Sequence, residues 1–185
     1  DGWLAGPLGQ MLIEQERERI ATSLECAFGL HCVQIGSWGE PGTFLTLART
    51  RRTALIAVAG VPGATLIAEP AALPLQSDSV DVMLLPHTLE FEPDPHEVLR
   101  EVGRVLRGEG ELLVLGFEPL GSWSLRHSFT RGGCPPGLRR RISERRLADW
   151  LKLLGFEVGA AERFLYAPPL RALHTGKARG WLERI

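Results

Sequence analysis

The stretch SVDVMLLPHTLEFEPDPHEVLREVGRVLRGEGELLVLGF, residues 79–117, decides the fold. Ser79–Leu85 is a short, mostly apolar run, as expected of a strand buried on both faces. Asp94 then offers a helix N-cap, Pro95 fits the first helical position, and Glu97 completes an Asp-x-x-Glu box. Val98, Leu99, Val102, Val105 and Leu106 recur at helical spacing. Gly108 is read as the helix stop and Gly110 as a turn, after which Leu112–Phe117 forms a second apolar strand. Strand, helix, strand in this order is the unit of a parallel sheet with helices packed on its faces.

Working outward, the same rhythm continues. Upstream, Pro7–Phe28 reads as a helix, with Leu8, Met11, Leu12, Ile20, Leu24 and Phe28 on one face and Glu14–Arg19 mostly off it. His31–Ile35 reads as a buried strand running into a glycine-rich turn, Gly36–Gly42, and Thr43–Arg49 as a short helix. Thr53–Val58 and Ala64–Ala68 read as two more strands. Only residues 59–63 separate them, too few for the usual crossover helix, so they form either a hairpin-like pair or an eroded βαβ unit. Downstream, Ser143 caps a helix carrying Leu147, Trp150, Leu151 and Leu154 and ending at Gly155, and Phe156–Tyr166 reads as a strand. The expected fold class is α/β: a Rossmann-like, doubly wound, mostly parallel sheet with helices on both faces, eroded between strands two and three and with no evident last strand. Ligands of such sheets bind outside the carboxyl ends of the strands.

Composition bounds the function. The chain has 185 residues, 44% of them hydrophobic and 23% charged, which is enough apolar material for a core and excludes a disordered chain. No apolar run reaches the about 18 residues of a membrane span. A net charge of -1 argues against a general polyanion binder. Glycine (21) and proline (13) are somewhat above average usage, and Lys152 and Lys177 are the only lysines against many arginines. Cys26, Cys32 and Cys134 show neither paired nor metal-binding spacing. With no signal peptide recognisable, they lead to the expectation of a reducing, cytoplasmic setting and of no metal site. The chain is read as a single domain over residues 1–185, with a helical start (1–29), a core (30–119), an arginine-rich segment (120–146) and a C-terminal helix and strand (147–185).

The middle of the chain also carries specific motifs: Glu69, Leu73-Pro74-Leu75, Asp78-Ser79-Val80-Asp81, His87-Thr88-Leu89-Glu90-Phe91, Asp94-Pro95 and Arg104-Val105-Leu106-Arg107-Gly108-Glu109-Gly110. Together these resemble the class I S-adenosylmethionine-dependent methyltransferases of the type 11 kind. The resemblance covers roughly Leu30 to Pro119 well and the rest more loosely. It implies a seven-stranded, largely parallel sheet with S-adenosylmethionine over the ends of its first strands. By that resemblance Gln34, Gly36, Ser37, Trp38 and Gly39 belong to the loop around the methionine moiety. Glu69, Pro70 and Ala71 lie near the adenine, and Leu85, Pro86 and His87 line the cofactor and acceptor. The sequence departs from the family pattern where Trp38 replaces a loop glycine, where Ala57-Val58-Ala59-Gly60 brings no ribose-binding acid, and where Pro70 brings no N–H.

Methyl transfer from a sulfonium asks for alignment and, for some acceptors, a base. His87 and Glu90 follow strand four, where a base would act, and are the candidate catalytic residues; as plain structure, His87 would be a loop histidine and Glu90 a solvated carboxylate. The segment after strand five carries seven arginines against Glu144, with Trp123, His127 and Phe129 between them. Trp123, Arg126 and Arg131 are the candidate acceptor-binding residues, since guanidinium forks suit anions. The resulting expectation is a methyltransferase for a small or anionic acceptor. The alternatives are an inactive binding or scaffold protein of the same fold, or an RNA or polyanion binder acting through the arginine-rich segment.

Overall fold

The computed structural model describes residues 3–119, 137–159 and 161–164. Helix α1 spans Pro7–Ser23, with Pro7 at its first position. Strand β1 is His31–Ile35, and a 3-10 turn at Leu45–Leu47 leads to β2, Arg52–Ala57. Strand β3 is only Leu66–Ile67, and β4 is Val80–Pro86. A single turn of helix, α2 (Thr88–Phe91), precedes α3 (Pro95–Val105), β5 (Leu106–Leu115) and α4 (Glu144–Leu153).

The described strands form one sheet in the order β3-β2-β1-β4-β5, with every pair parallel. The side chains of β1 and β4 alternate between two packed layers. Val33, Ile35, Met83 and Leu85 meet Val98, Leu99, Val102 and Val105 of α3, with α4 outside them. Cys32, Val82 and Leu84 meet Leu12, Ile20 and Leu24 on the α1 side, with Phe44 and Leu45. Helices therefore cover both faces, as a doubly wound sheet requires. The α3 cap forms as its sequence dictates: the Asp94 carboxylate accepts from His96 N at 2.9 Å and Glu97 N at 3.3 Å.

Several boundaries differ from the sequence reading. Helix α1 stops at Ser23 rather than Phe28, at Thr22-Ser23, whose side chains compete for backbone hydrogen bonds. The Thr43–Arg49 helix is a 3-10 turn of three residues. Strands β2 and β3 are parallel, so the eroded βαβ alternative is the one that holds. Their link contains no helix; Thr65 ties it down, donating its N–H to Leu55 O at 2.7 Å and accepting Leu55 N at 3.0 Å.

Gly108 and Gly110 mark neither a helix stop nor a turn. The helix ends at Val105 and the strand starts at once, with the pairing jumping from Val80↔Leu106 to Val82↔Glu111. The three extra residues on β5 form an irregularity held by Arg107, which pairs with Asp81 Oδ1 at 2.6 Å. Residues 156–159 and 161–164 are not strand, and the remainder of the expected Phe156–Tyr166 strand lies outside the described residues. The sheet has five strands among the described residues, against the seven that the resemblance implies.

Candidate active-site cleft

The carboxyl ends of β1, β2 and β4 open into a cleft of about 820 Å³. Its floor starts at the chain reversal after β1. Gly36 has φ +86° and donates its N–H to Ile56 O at 2.8 Å. A Cβ there would lie 2.9 Å from Thr88 Oγ1, and the Thr88 hydroxyl donates to Ile35 O. Gly39 has φ +73°, and a Cβ on it would lie 2.9 Å from Ile13 Cδ1 of α1. Both glycines are thus required by left-handed backbone and by close packing of the loop on α2 and α1.

Beneath this loop Gln34 is buried at the end of β1. Its Nε2 donates to Gly36 O at 3.0 Å, while its Oε1 is buried with no partner among the described residues. A buried acceptor left open costs on the order of 1–3 kcal/mol, which a ligand donor or a water would recover.

The side of the cleft is α1, through Gln10, Ile13, Glu14 and Arg17. Arg17 is anchored by donating to Thr43 O at 2.7 Å. Glu14, Glu40 and Glu92 are the carboxylates of the lining, set among apolar residues with Arg17 and His87. Burial raises the Glu92 carboxyl above its usual range; the Glu69 charge adds to this and Arg139 opposes it.

At the end of β4 lies a buried charged cluster. His87 has left-handed backbone, φ 57° and ψ 10°, a conformation uncommon outside glycine that histidine adopts more readily than most residues. Its Nε2 lies 2.8 Å from Glu16 Oε1 and its Nδ1 lies 2.9 Å from Glu90 Oε2. Both carboxylates are further held: Trp38 Nε1 donates to Glu16 at 2.7 Å and Phe117 N donates to Glu90 at 2.7 Å. The imidazole lies between the Trp38 ring at 4.3 Å and the Phe117 ring at 4.2 Å. Burial works against its charge, but the Glu16 and Glu90 carboxylates outweigh that, and the group is pushed up to about 9. The two carboxylates thus favour the protonated ring, which donates from both nitrogens and has no lone pair to take a proton.

Of the expected cofactor residues, Gly36, Ser37, Trp38, Gly39, Pro70, Pro86 and His87 line the cleft. Trp38 is largely buried and its indole is engaged with Glu16 and His87. Gln34 lies below the lining, and Leu85 belongs to the core layer against α3. Glu69 and Ala71 are exposed and outside the lining. Glu90 is 2% exposed, not the solvated carboxylate of the plain reading. His87 contacts side chains rather than only backbone. Trp123, Arg126 and Arg131 lie outside the described residues, as does Cys134; Cys26 is exposed and Cys32 buried. No cluster of metal-binding side chains occurs among the described residues.

Glu16 was missed by the sequence reading, which set it off the apolar face; it is fully buried. Leu12, Glu16, Ile20 and Leu24 follow one another at intervals of four. That spacing is a signal for a carboxylate standing in a core stripe.

The methyltransferase-domain family pattern matches residues 43–114. The chain is 34% identical to the protein YafS of Escherichia coli (strain K12), over 91% of this chain and 70% of that one. It belongs to the class I methyltransferase family. A second relative in sequence is the protein Rv2003c of Mycobacterium tuberculosis, 29% identical over 97% of this chain and 67% of that one. Solved methyltransferase structures share the fold. The partner of the Haloferax volcanii Trm112 methyltransferase activator superposes with a TM-score of 0.66 at 16% identity, over 86% of this chain and 76% of that one. An S-adenosylmethionine-dependent methyltransferase from Aquifex aeolicus gives 0.56 at 18% identity, over 78% and 81%. In this methyltransferase-family chain the cleft lies where the fold class puts its ligands, outside the carboxyl ends of the strands.

Proposed function

We propose that this protein transfers the methyl group of S-adenosylmethionine to a small acceptor bound in the cleft beside α1. The observation that carries this reading is the cleft at the carboxyl ends of β1, β2 and β4, whose floor is the glycine turn after β1. Gly36 and Gly39 hold that turn in left-handed backbone packed on α2 and α1, and Gln34 braces it from below through Gly36 O. The carboxylates Glu14, Glu40 and Glu92 favour a cofactor bearing a sulfonium and an ammonium. When bound, the cofactor supplies an electrophilic methyl carbon. The chain's own residues orient the acceptor along the α1 wall and exclude water. His87, held between two carboxylates, is a fixed charge in the wall rather than a base. The preference for an anionic acceptor rests on Trp123, Arg126 and Arg131 and is part of the proposal.

The test is calorimetric titration with S-adenosylmethionine and with its demethylated product. Saturable heat with both, stronger binding of the charged cofactor and weakening by salt are expected. No heat and no thermal shift at millimolar ligand would sink the reading. Two observations favour a second reading, a binding module of the same fold: β2 ends at Ala57 with no carboxylate, and Pro70 offers no N–H. Tight binding of both ligands with no methyl transfer to any of a broad acceptor panel would select it.

A further inference from the structure

Helix α1 carries two stripes. Gln10, Ile13, Glu14 and Arg17 face the cleft. Gly9, Leu12, Glu16 and Ile20 are buried against the sheet. Glu16 alone is out of place in the second stripe. Taking a carboxylate out of water costs several kcal/mol, and buried ion networks often contribute no more than apolar packing of the same volume. A leucine would dock this helix without that cost, so the charge calls for a role other than holding the fold.

Its partners indicate the role. They come from parts of the chain far apart: His87 is 71 residues from Glu16, and Trp38 is 22. Trp38 belongs to the loop after β1, His87 to the turn after β4, and Glu90 reaches the segment after β5 through Phe117 N. Thr88, next to His87, packs on Gly36 in the floor of the cleft. One cluster thus joins α1 to three of the segments around the carboxyl ends of the strands.

We propose that Glu16, His87 and Glu90 form a charged latch that holds α1 in place as the wall of the cleft and releases it when His87 loses its proton. Glu16 is then a positioning residue, acting through His87. The charged groups that face His87 are Glu16 from α1 and Glu90 from α2; the loop after β1 and the segment after β5 present Trp38 and Phe117. Glu14, Arg17, Glu40 and Glu92 are the other charges of the lining. With His87 protonated, each carboxylate has a donor on the ring. Once it is neutral, one carboxylate faces a lone pair in a buried site. The strain falls on Glu16, because α1 is the element that can move without opening the sheet. The elevated proton affinity of His87 places release on the alkaline side, through about 9. The latch rests on the methyltransferase reading only for what the cleft holds.

Amide hydrogen exchange on the whole chain across neutral and alkaline pH, corrected for the intrinsic rate, tests it. Protection of Leu12–Ile20 should fall about tenfold or more as His87 titrates, the size expected for losing one charge-assisted hydrogen bond, while Val82–Leu85 stays protected. Imidazole nitrogen shifts of His87 should move over the same interval. In Glu16→Gln and Glu16→Leu that alkaline step should vanish, and in Glu16→Gln the His87 titration should move to lower pH. Equal behaviour of α1 and β4 in the parent chain, or an unchanged step in a folded variant, would overturn the latch. If neither variant folds, the parent's exchange and His87 shifts decide alone. Titration with the demethylated cofactor product runs in parallel, and its affinity should fall as α1 opens. An affinity indifferent to that opening would overturn the role of α1 as the wall. Absence of binding at every pH would instead count against the cofactor reading, while exchange still decides the latch.

Discussion

At the scale of single residues, the cleft depends on atoms that leave no room. Gly36 combines left-handed backbone with the contact of its missing Cβ on Thr88. Gly36→Ala is expected to cost about 1–3 kcal/mol, from strained φ and from displacement of Thr88, and to weaken cofactor binding as well. Urea denaturation measures the first effect and calorimetry the second; an unchanged midpoint would contradict the packing described. The same scale shows what a sequence can reveal. The Asp94 cap was legible because donor and acceptor lie within one turn of each other. The burial of Glu16 is not legible, because its partners are far away in the chain and local charge patterning does not report them. The position of His87 past β4, with Glu90 three residues on, is legible in the sequence; the second carboxylate, Glu16, comes from a distant helix and is not.

At the scale of elements, α3 carries the layer opposite the cleft. Leu99 is fully buried between the helix and the sheet. Leu99→Ala should cost about 2–5 kcal/mol by the lost transfer energy and the cavity left behind, read from the denaturation midpoint. Asp94→Ala should lower the midpoint by less, with Asp94→Asn retaining most of the cap. The helix itself was legible from its period and its cap, since both are local. Its exit was not. Gly108 and Gly110 look like punctuation, yet they sit in a strand whose register is set across the sheet by Asp81 and Arg107. The link between β2 and β3 was legible for the opposite reason: its shortness alone excluded a helix, and only the direction of β3 needed the structure.

At the scale of the whole molecule, two buttons of charge set the pH range of stability. Asp81 joins the start of β1 to β4, accepting from Leu30 N at 2.8 Å and His31 N at 2.9 Å, and pairs with Arg107. Burial opposes its ionisation but is outweighed by these donors, which hold the carboxyl below its usual range. Its contribution is present above the ordinary carboxylate pKa and is lost as pH falls through the lowered value. His87 acts at the other end: its contribution is full below its ordinary value of 6.5 and is lost as pH rises through about 9. Urea midpoints against pH should therefore show a maximum on the mildly acidic to neutral side, with an alkaline decline that Glu16→Gln makes shallower. A flat alkaline limb in the parent chain would contradict the assignment of His87 as a buried imidazolium.

The distance along the chain between Glu16 and its partners has a consequence for the order of assembly. Helix α1 is made before the strands it packs on, with a carboxylate in the middle of its apolar stripe. Until β4 has entered the sheet and turned at His87, that carboxylate has no counter-charge, and docking α1 would bury it with the Trp38 indole but without the imidazole. Premature collapse of the helix onto the early strands β1 and β2 is thereby penalised, although its neighbours Leu12 and Ile20 would otherwise favour it. Stable docking of α1 is thus tied to completion of the β4 turn that its carboxylate pairs with.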